Sequence, residues 1–269
     1  MIEPKISIVT PCLNGAEYIA ECIESVMAEP CTEHVIVDGG STDGTQEIVH
    51  KLQEKYGERI RFSVFQGMGP ADAWNIGIEQ AKAPILGFLG HDDRLYPGAA
   101  KYVTEFFDEE QGLIVYGECE IIDAHGEVLS LYPTEEFNYD RVLNVRNFIA
   151  CPSCFYKREL FDWFGRIRES GSDYEFWLRV GRHVHFHHIP MVLSQFRMHG
   201  NNYSNRNRTE TLRRLYGYSR EYGGHRLNML AWLYLESMVS DKIGWSYRWL
   251  LRRVYNRVIV KRSIHAKAD

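Results

Sequence analysis

Two rhythms of apolar residues alternate along the first third of the chain. Short unbroken apolar runs end in turn residues, and between them apolar residues recur every three or four positions. Lys5-Ile6-Ser7-Ile8-Val9-Thr10 predicts a buried strand, followed by a turn at 11–15. Residues 16–28 read as a helix with Ile19, Ile23, Val26 and Met27 on one face. His34-Val35-Ile36-Val37-Asp38 is a second strand, 39–44 a loop, and 45–56 a helix with Ile48, Val49 and Leu52 inward. A third strand at 61–65 leads through Gly67-Met68-Gly69-Pro70 into a helix reaching about Lys82, and 84–89 is a fourth strand. Strands alternating with helices predict βαβ units, hence an α/β fold on a mostly parallel sheet.

The rest is less regular. A long strand is expected at 112–122, a hairpin turn at 123–126, and a helix at 172–180. Extended segments follow near 183–188 and 192–198, then a polar loop at 199–208 and an aromatic-rich helical stretch over 209–262. The expected organisation is 1–95 as a first half-domain, 96–208 as a second, and 209–269 as a helical, basic C-terminal extension.

Composition narrows the class. With 269 residues, 45% hydrophobic and 25% charged, the chain is long enough to bury a core unaided. Gly 22, Pro 9 and Cys 6 exclude collagen-like, disordered and disulfide-scaffold classes. No apolar run reaches the roughly 20 residues of a membrane span. The start, Met1-Ile2-Glu3-Pro4-Lys5, lacks a signal-peptide pattern, and the cysteines show no framework spacing. A reduced, cytoplasmic chain is the expectation. The net charge of −5 is uneven: residues 240–269 carry eight Lys/Arg against two Asp/Glu. An acidic body with a basic tail argues against nucleic-acid binding.

Polar residues gather at the carboxyl ends of the predicted strands: Thr10, Pro11 and Asn14 after the first, Asp38-Gly39-Gly40-Ser41-Thr42-Asp43-Gly44 after the second, and Gly90-His91-Asp92-Asp93 after the fourth. In an open α/β sheet these tips converge on one crevice. Carboxylates there suit a ribose or base contact, and a carboxylate pair suits a hard divalent cation. Gly-Ser-Thr-Asp-Gly alone is equally a turn and helix start. Three such tips in succession are harder to explain by turns.

Four motifs now carry a resemblance. Ile6 to Gly15, Val35 to Thr45, Asp72-Ala73-Trp74-Asn75-Ile76-Gly77 and Phe88-Leu89-Gly90-His91-Asp92-Asp93 resemble, in order, the signatures of family-2 glycosyltransferases. The closest likeness is to enzymes of bacterial surface-polysaccharide synthesis, and it extends from residue 5 to about 204. It implies a GT-A fold, a metal-dependent inverting hexosyl or N-acetylhexosaminyl transfer, a nucleotide-diphosphate sugar donor (a UDP-sugar foremost), a glycan or lipid-linked acceptor, and Mg²⁺ or Mn²⁺. Thr10, Pro11, Asn14, Asp38, Ser41, Asp72, Asn75, Asp92 and Arg197 would contact the nucleotide sugar. Asp92, Asp93 and His199 would hold the metal. Asp173, in Ser172-Asp173-Tyr174-Glu175-Phe176-Trp177, would be the general base, kept ionised by the helix dipole; without the family it reads as an N-cap. Gln195-Phe196-Arg197-Met198-His199, with Asn202 and Ser204, resembles the family's Arg-x-His segment. One departure stands out: Gly90 sits where the first acid of Asp-x-Asp often is.

Two other readings stay open. A catalytically silent sugar-nucleotide-binding or scaffold protein is kept alive by Gly90. A nucleotidyltransferase is disfavoured because the loop after the first strand has no Lys or Arg. Cys151-Pro152-Ser153-Cys154 sits mid-chain with no second pair, so it reads as packing, with 151–153 at the border of an acceptor pocket. His183, His185, His187 and His188 read as a solvated strand face. Within 245–262, Leu250, Leu251, Val254 and Val258 repeat at helical spacing among Arg248, Arg252, Arg253, Arg257, Lys261 and Arg262. That pattern fits peripheral contact with an anionic membrane at its cytoplasmic face, the alternative being packing on protein.

Overall fold

The computed structural model describes residues 3–110, 112–168, 173–200, 202 and 208–243. The basic repeat at 245–262 and Ser204 lie outside the described residues. The chain forms two compact units, Met1–Tyr139 with Asn147–Gly200, and Asp140–Arg146 with Asn201–Asp269.

The first unit opens as its apolar rhythm predicts. Strands β1 (Ile6–Cys12), β2 (Thr32–Asp38), β3 (Ile60–Val64) and β4 (Ile85–Phe88) alternate with helices α1 (Ile19–Ala28), α2 (Thr45–Tyr56) and α3 (Pro70–Gln80). All four strands are parallel, in the order β3-β2-β1-β4. β2 is buried throughout and β1 nearly so, as expected of strands covered on both faces. Pro70 stands in the first turn of α3, where a missing N–H costs nothing.

Sheet order continues through later strands: β5 (Arg94–Leu95), β6 (Ile114–Ile122), β7 (Val128–Leu131), β8 (Cys154–Lys157) and β9 (Phe186–Arg197). β8 runs antiparallel between β4 and β6, β9 parallel beside β6, and β5 antiparallel on β9. Six of the nine strands therefore point the same way. The two extended segments expected at 183–188 and 192–198 are one strand. Ile189 pairs with Gly117 and Val192 with Glu118, so Pro190 and Met191 bulge outward. Pro190 has no N–H for a ladder, which explains both the bulge and the apparent break.

Seven elements have no counterpart in the expectations: α4 (Ala99–Glu109), α5 (Tyr139–Asn144), α6 (Glu159–Phe164), β5, β8 and 3₁₀ turns at Gly57–Arg59 and Cys151–Ser153. Helix α7 (Asp173–Val180) was expected. The histidine face divides: His183 and His185 are exposed, whereas His187 and His188 are half-buried. His183 and His185 precede β9 and lie against Phe164 and Phe137, with centroids 5.7 and 5.6 Å apart. His187 packs on Phe106, while His188 bonds Glu118 and Glu136 and stacks on Tyr116.

Alternation along β1 sorts the core into two layers. Ile6, Ile8 and Cys12 pack with Ile19, Ile23, Val26 and Val49 of α1 and α2. On the opposite face, Val9 lies under Gly77 of α3, and Phe88, Tyr156, Phe161 and Phe176 form an aromatic chain with centroids 4.9 to 5.9 Å apart. In the second unit, helices α8 (Arg208–Glu221) and α9 (Met229–Ile243) are joined to the 140–146 segment. Ser219 Oγ donates to the Leu143 carbonyl at 2.7 Å, and the Asn144 side chain accepts the His225 amide at 2.7 Å. Among the described residues, no helix is long and apolar enough to cross a membrane.

A Cβ at Gly77 would overlap Val9 Cγ1, and Val9 is fully buried at the sheet centre. Gly77→Ala therefore sets overpacking against a helix-propensity gain of about 1 kcal/mol. Overpacking should prevail, lowering stability by about 1–3 kcal/mol as read by the urea midpoint. A raised midpoint would show that α3 is free to shift.

Candidate active site

The loops after β1 and β2 are laced together. Asn14 adopts a left-handed conformation, φ 53°. Its amide donates to Ser41 Oγ at 2.7 Å, and its Oδ1 accepts the Thr42 amide at 3.0 Å. One residue on, the Gly15 amide donates to Thr45 Oγ1 at 2.9 Å and the Ala16 amide to Asp43 Oδ2 at 3.0 Å. Asp38 is fully buried. Its carboxylate accepts the amides of Gly40 (2.9 Å) and Ser41 (2.7 Å) and the Ser41 hydroxyl (2.5 Å). Asp38 shapes this loop, and a base-holding role would require these bonds to open. Thr10 is corrected: it is fully buried, and its hydroxyl bonds His34 Nε2 at 2.8 Å inside the sheet layer. Burial there pushes the imidazole pKa down to about 3, leaving His34 neutral.

At the β4 tip, Asp92 Oδ2 lies 2.9 Å from His199 Nε2, joining residues 107 apart in sequence. Asp93, the neighbouring acid, is engaged by β9. It is 4% exposed and its Oδ1 accepts the Arg197 amide at 2.9 Å, so it ties β9 to the β4 loop. Burial and then the neighbouring Asp92 charge push its pKa well above the usual carboxylate range.

Arg197 is corrected too. It is 1% exposed, and its guanidinium is engaged by protein groups. Nε donates to the Asp92 carbonyl (2.9 Å), one terminal nitrogen to the carbonyls of Asp123 (3.3 Å) and Ala124 (3.0 Å), and the other to Glu21 (2.7 Å). Tyr18 lies 4.6 Å beneath it and also packs on His199, with ring centroids 5.1 Å apart. Sequence reasoning missed Tyr18 and Glu21, which sit on the apolar and polar sides of α1 with no motif to mark them.

Asp72 is exposed in the first turn of α3. The Asn75 amide group clamps Ile167, Nδ2 donating to the carbonyl at 2.8 Å and Oδ1 accepting from the amide at 3.0 Å. It secures the segment ahead of α7. Asp173 opens α7, its Oδ1 accepting the Tyr174 amide at 2.8 Å. The dipole was expected to keep its pKa low. Burial outweighs it: desolvation raises the pKa to about 6, against the opposing pull of the Tyr174 amide and the Cys151 thiol. At neutral pH the group is mostly ionised yet basic enough to take a proton.

The donor chemistry at the β4 tip fits a divalent cation. Asp92 supplies a carboxylate and His199 an imidazole nitrogen, a pair suited to Mn²⁺ as well as Mg²⁺. Among the described residues, no cluster of three or more His, Cys, Asp or Glu side chains is placed to cage a metal. A cation held by two side chains has most positions open for phosphate and water oxygens.

Against known families, residues 7–164 match the model of glycosyl transferase family 2. The chain belongs to that family. An uncharacterized glycosyltransferase of Rickettsia bellii is 27% identical over 209 residues, 73% of this chain. The match spans only 30% of that protein's length. Staphylococcus aureus TarS 1-349, solved with UDP-GlcNAc, superposes with TM-score 0.64 at 17% identity, covering 91% of this chain and 77% of that one. The mannosyltransferase PcManGT of Pyrobaculum calidifontis, solved with GDP-Man and Mn2+, gives 0.64 at 14% identity, covering 98% and 83%. These likenesses establish the GT-A fold for this family-2 chain.

Gly90, the departure from Asp-x-Asp, is explained by packing. A Cβ there would sit 2.7 Å from an oxygen of Asp92 and 2.7 Å from one of Asp93. Restoring the acid would force three carboxylates into one turn. Gly90→Asp should lower the melting temperature by more than about 4 °C, roughly 1 kcal/mol or above. An unchanged or higher melt would show that the turn accommodates the side chain.

Proposed function

We propose that this chain transfers a sugar, with inversion at the anomeric carbon, from a nucleoside-diphosphate sugar to an acceptor hydroxyl on a glycan or lipid-linked saccharide. The observation that carries this reading is the meeting of Asp92 and His199 at the loop after β4, one of the parallel strands whose carboxyl-end loops also hold Asn14 and Ser41. The sugar nucleotides bound to TarS and PcManGT support the donor class. Asp92 and His199 would hold the divalent cation, which, when bound, offsets the diphosphate charge and the charge growing on the leaving group.

In this reading Pro11, Asn14, Ser41 and Asp72 contact the donor. Tyr18 and Arg197 fix the His199 imidazole against Asp92. Asp173 accepts the acceptor hydroxyl's proton as the oxygen attacks the anomeric carbon from the side opposite the diphosphate. The silent-binder alternative predicts nucleotide binding without release of free nucleoside diphosphate, which a donor-hydrolysis assay reads.

A panel of sugar nucleotides with Mn²⁺ should raise the melting temperature for the accepted donor. Asp92→Ala should abolish the Mn²⁺-dependent part of that shift, and a retained shift would overturn the metal assignment. Asp173→Asn should lower turnover by about 10²–10⁴-fold with nucleotide affinity unchanged; loss of affinity as well would mark Asp173 as structural.

With a base of pKa about 6, kcat/KM should fall tenfold per pH unit below about 6 and level off above it. The same shift fixes a stability effect. The folded pKa lies above the unfolded value, so folding takes up a proton and stability drops as pH rises from about 4 to 6. Above pH 7, Asp173→Asn should thus melt higher than the wild type, by about 1–3 kcal/mol. A lower melt would mean that Asp173 stabilises the fold.

A further inference from the structure

The turn after β4 is locked by polar bonds at three of its four residues. The Gly90 carbonyl accepts the Asp93 amide at 3.1 Å and the Cys22 thiol of α1 at 3.4 Å. The Asp92 carbonyl accepts Arg197 Nε at 2.9 Å, and its carboxylate lies 2.9 Å from His199 Nε2. The Asp93 carboxylate accepts the Arg197 amide at 2.9 Å. His91 is the exception. It is half-buried, and among the described residues neither nitrogen of its imidazole has a hydrogen-bond partner.

That imidazole is seated by packing instead. A Cβ at Gly15, in the loop after β1, would sit 2.4 Å from Cδ2 and 3.0 Å from Cγ of His91, and 2.9 Å from Cys12 Sγ. Gly15 does not have a left-handed backbone, so what the position needs from glycine is the close approach of this ring. The Gly15 amide donates to Thr45 Oγ1 at 2.9 Å, which fixes the seat to the start of α2. His91 therefore spans the gap between the loop after β1 and the turn after β4. Asn14 adjoins its seat in the chain, and Asp92 adjoins the histidine itself.

A ring that touches both loops yet keeps its nitrogens uncommitted is placed to meet what lies between them. In the reading above, Asn14 contacts the sugar nucleotide and Asp92 holds the cation, and the group that joins those two points is the diphosphate. We infer that His91 donates a hydrogen bond to a phosphate oxygen of the bound nucleoside diphosphate. The inference rests on that reading of the crevice. An imidazole suits the place because it offers an N–H in either protonation state, and it adds no negative charge to a turn that already carries Asp92 and Asp93.

The test measures dissociation constants of UDP, GDP, ADP and CDP with Mn²⁺ on the full 269-residue chain, beside the ligand-free melting temperature. His91→Ala and His91→Phe should each weaken the nucleotide that the wild type binds by about tenfold or more, the loss of one hydrogen bond to a charged group. His91→Phe keeps a ring on Gly15 without the nitrogens, so it separates hydrogen bonding from packing. An unchanged constant in either variant would overturn the inference, and a loss that tracks a falling ligand-free melt would mark His91 as structural. A loss that vanishes with the matching 2′-deoxynucleotide would move the contact to the ribose and overturn the phosphate assignment. A wild type that binds none of the nucleotides would instead overturn the sugar-nucleotide reading beneath it.

Discussion

One buried cation sets the geometry on which the site depends. The Arg197 guanidinium bonds the β4 tip through the Asp92 carbonyl, the turn after β6 through Asp123 and Ala124, and α1 through Glu21. A guanidinium offers five donors in a fixed plane, so one side chain can fix the relative positions of three segments. Its isolated burial would be costly, and carbonyl dipoles, the Glu21 carboxylate and the Tyr18 ring offset that cost. Two residues on, His199 inherits a fixed position and meets Asp92 across a separation of 107 residues. The residue that looked fit to meet a diphosphate thus serves by holding others in place.

The first half of the fold was legible because its physics is local. Parallel strands buried on both faces read as apolar runs, and amphipathic helices read by their period. The second half depends on pairings that no local pattern carries. β8 is four residues long and joins β4 to β6 from mid-chain, and the Pro190 bulge splits β9 into two apparent pieces. Helix α4 lacks a side-chain cap, and the buried Glu29 of another segment satisfies its amides at Gly98 and Ala100 instead.

At the site, motif spacing located the convergence and failed on direction. Asp92 lies against His199, and Asn14 against Ser41. Thr10 is in the right motif on the wrong side: it shares strand parity with Ile8 and Cys12, and all three face the α1 and α2 layer. Asn75, Asp93 and Arg197 stand near the crevice with their polar atoms taken by the backbone of other segments. A motif records that a residue type is needed at a place. Whether it meets a ligand or supports one that does is decided by where its donors and acceptors point.

Asp173 and Gly90 show opposite solutions to the crowding of acids around one pocket. At Asp173 a carboxyl is kept in a poorly solvated position, and the desolvation that raises its pKa to about 6 makes it a stronger base than a solvated aspartate. The helix N-terminus and the Cys151 thiol keep that rise short of leaving it protonated at neutral pH. At the β4 tip the limit is space and charge together. Asp93 is already buried beside Asp92 with its pKa driven far up, so a further carboxyl would be forced neutral or force its neighbours to be. A glycine there spares Asp92 a further carboxyl in the same turn, and leaves its Oδ2 2.9 Å from the His199 imidazole.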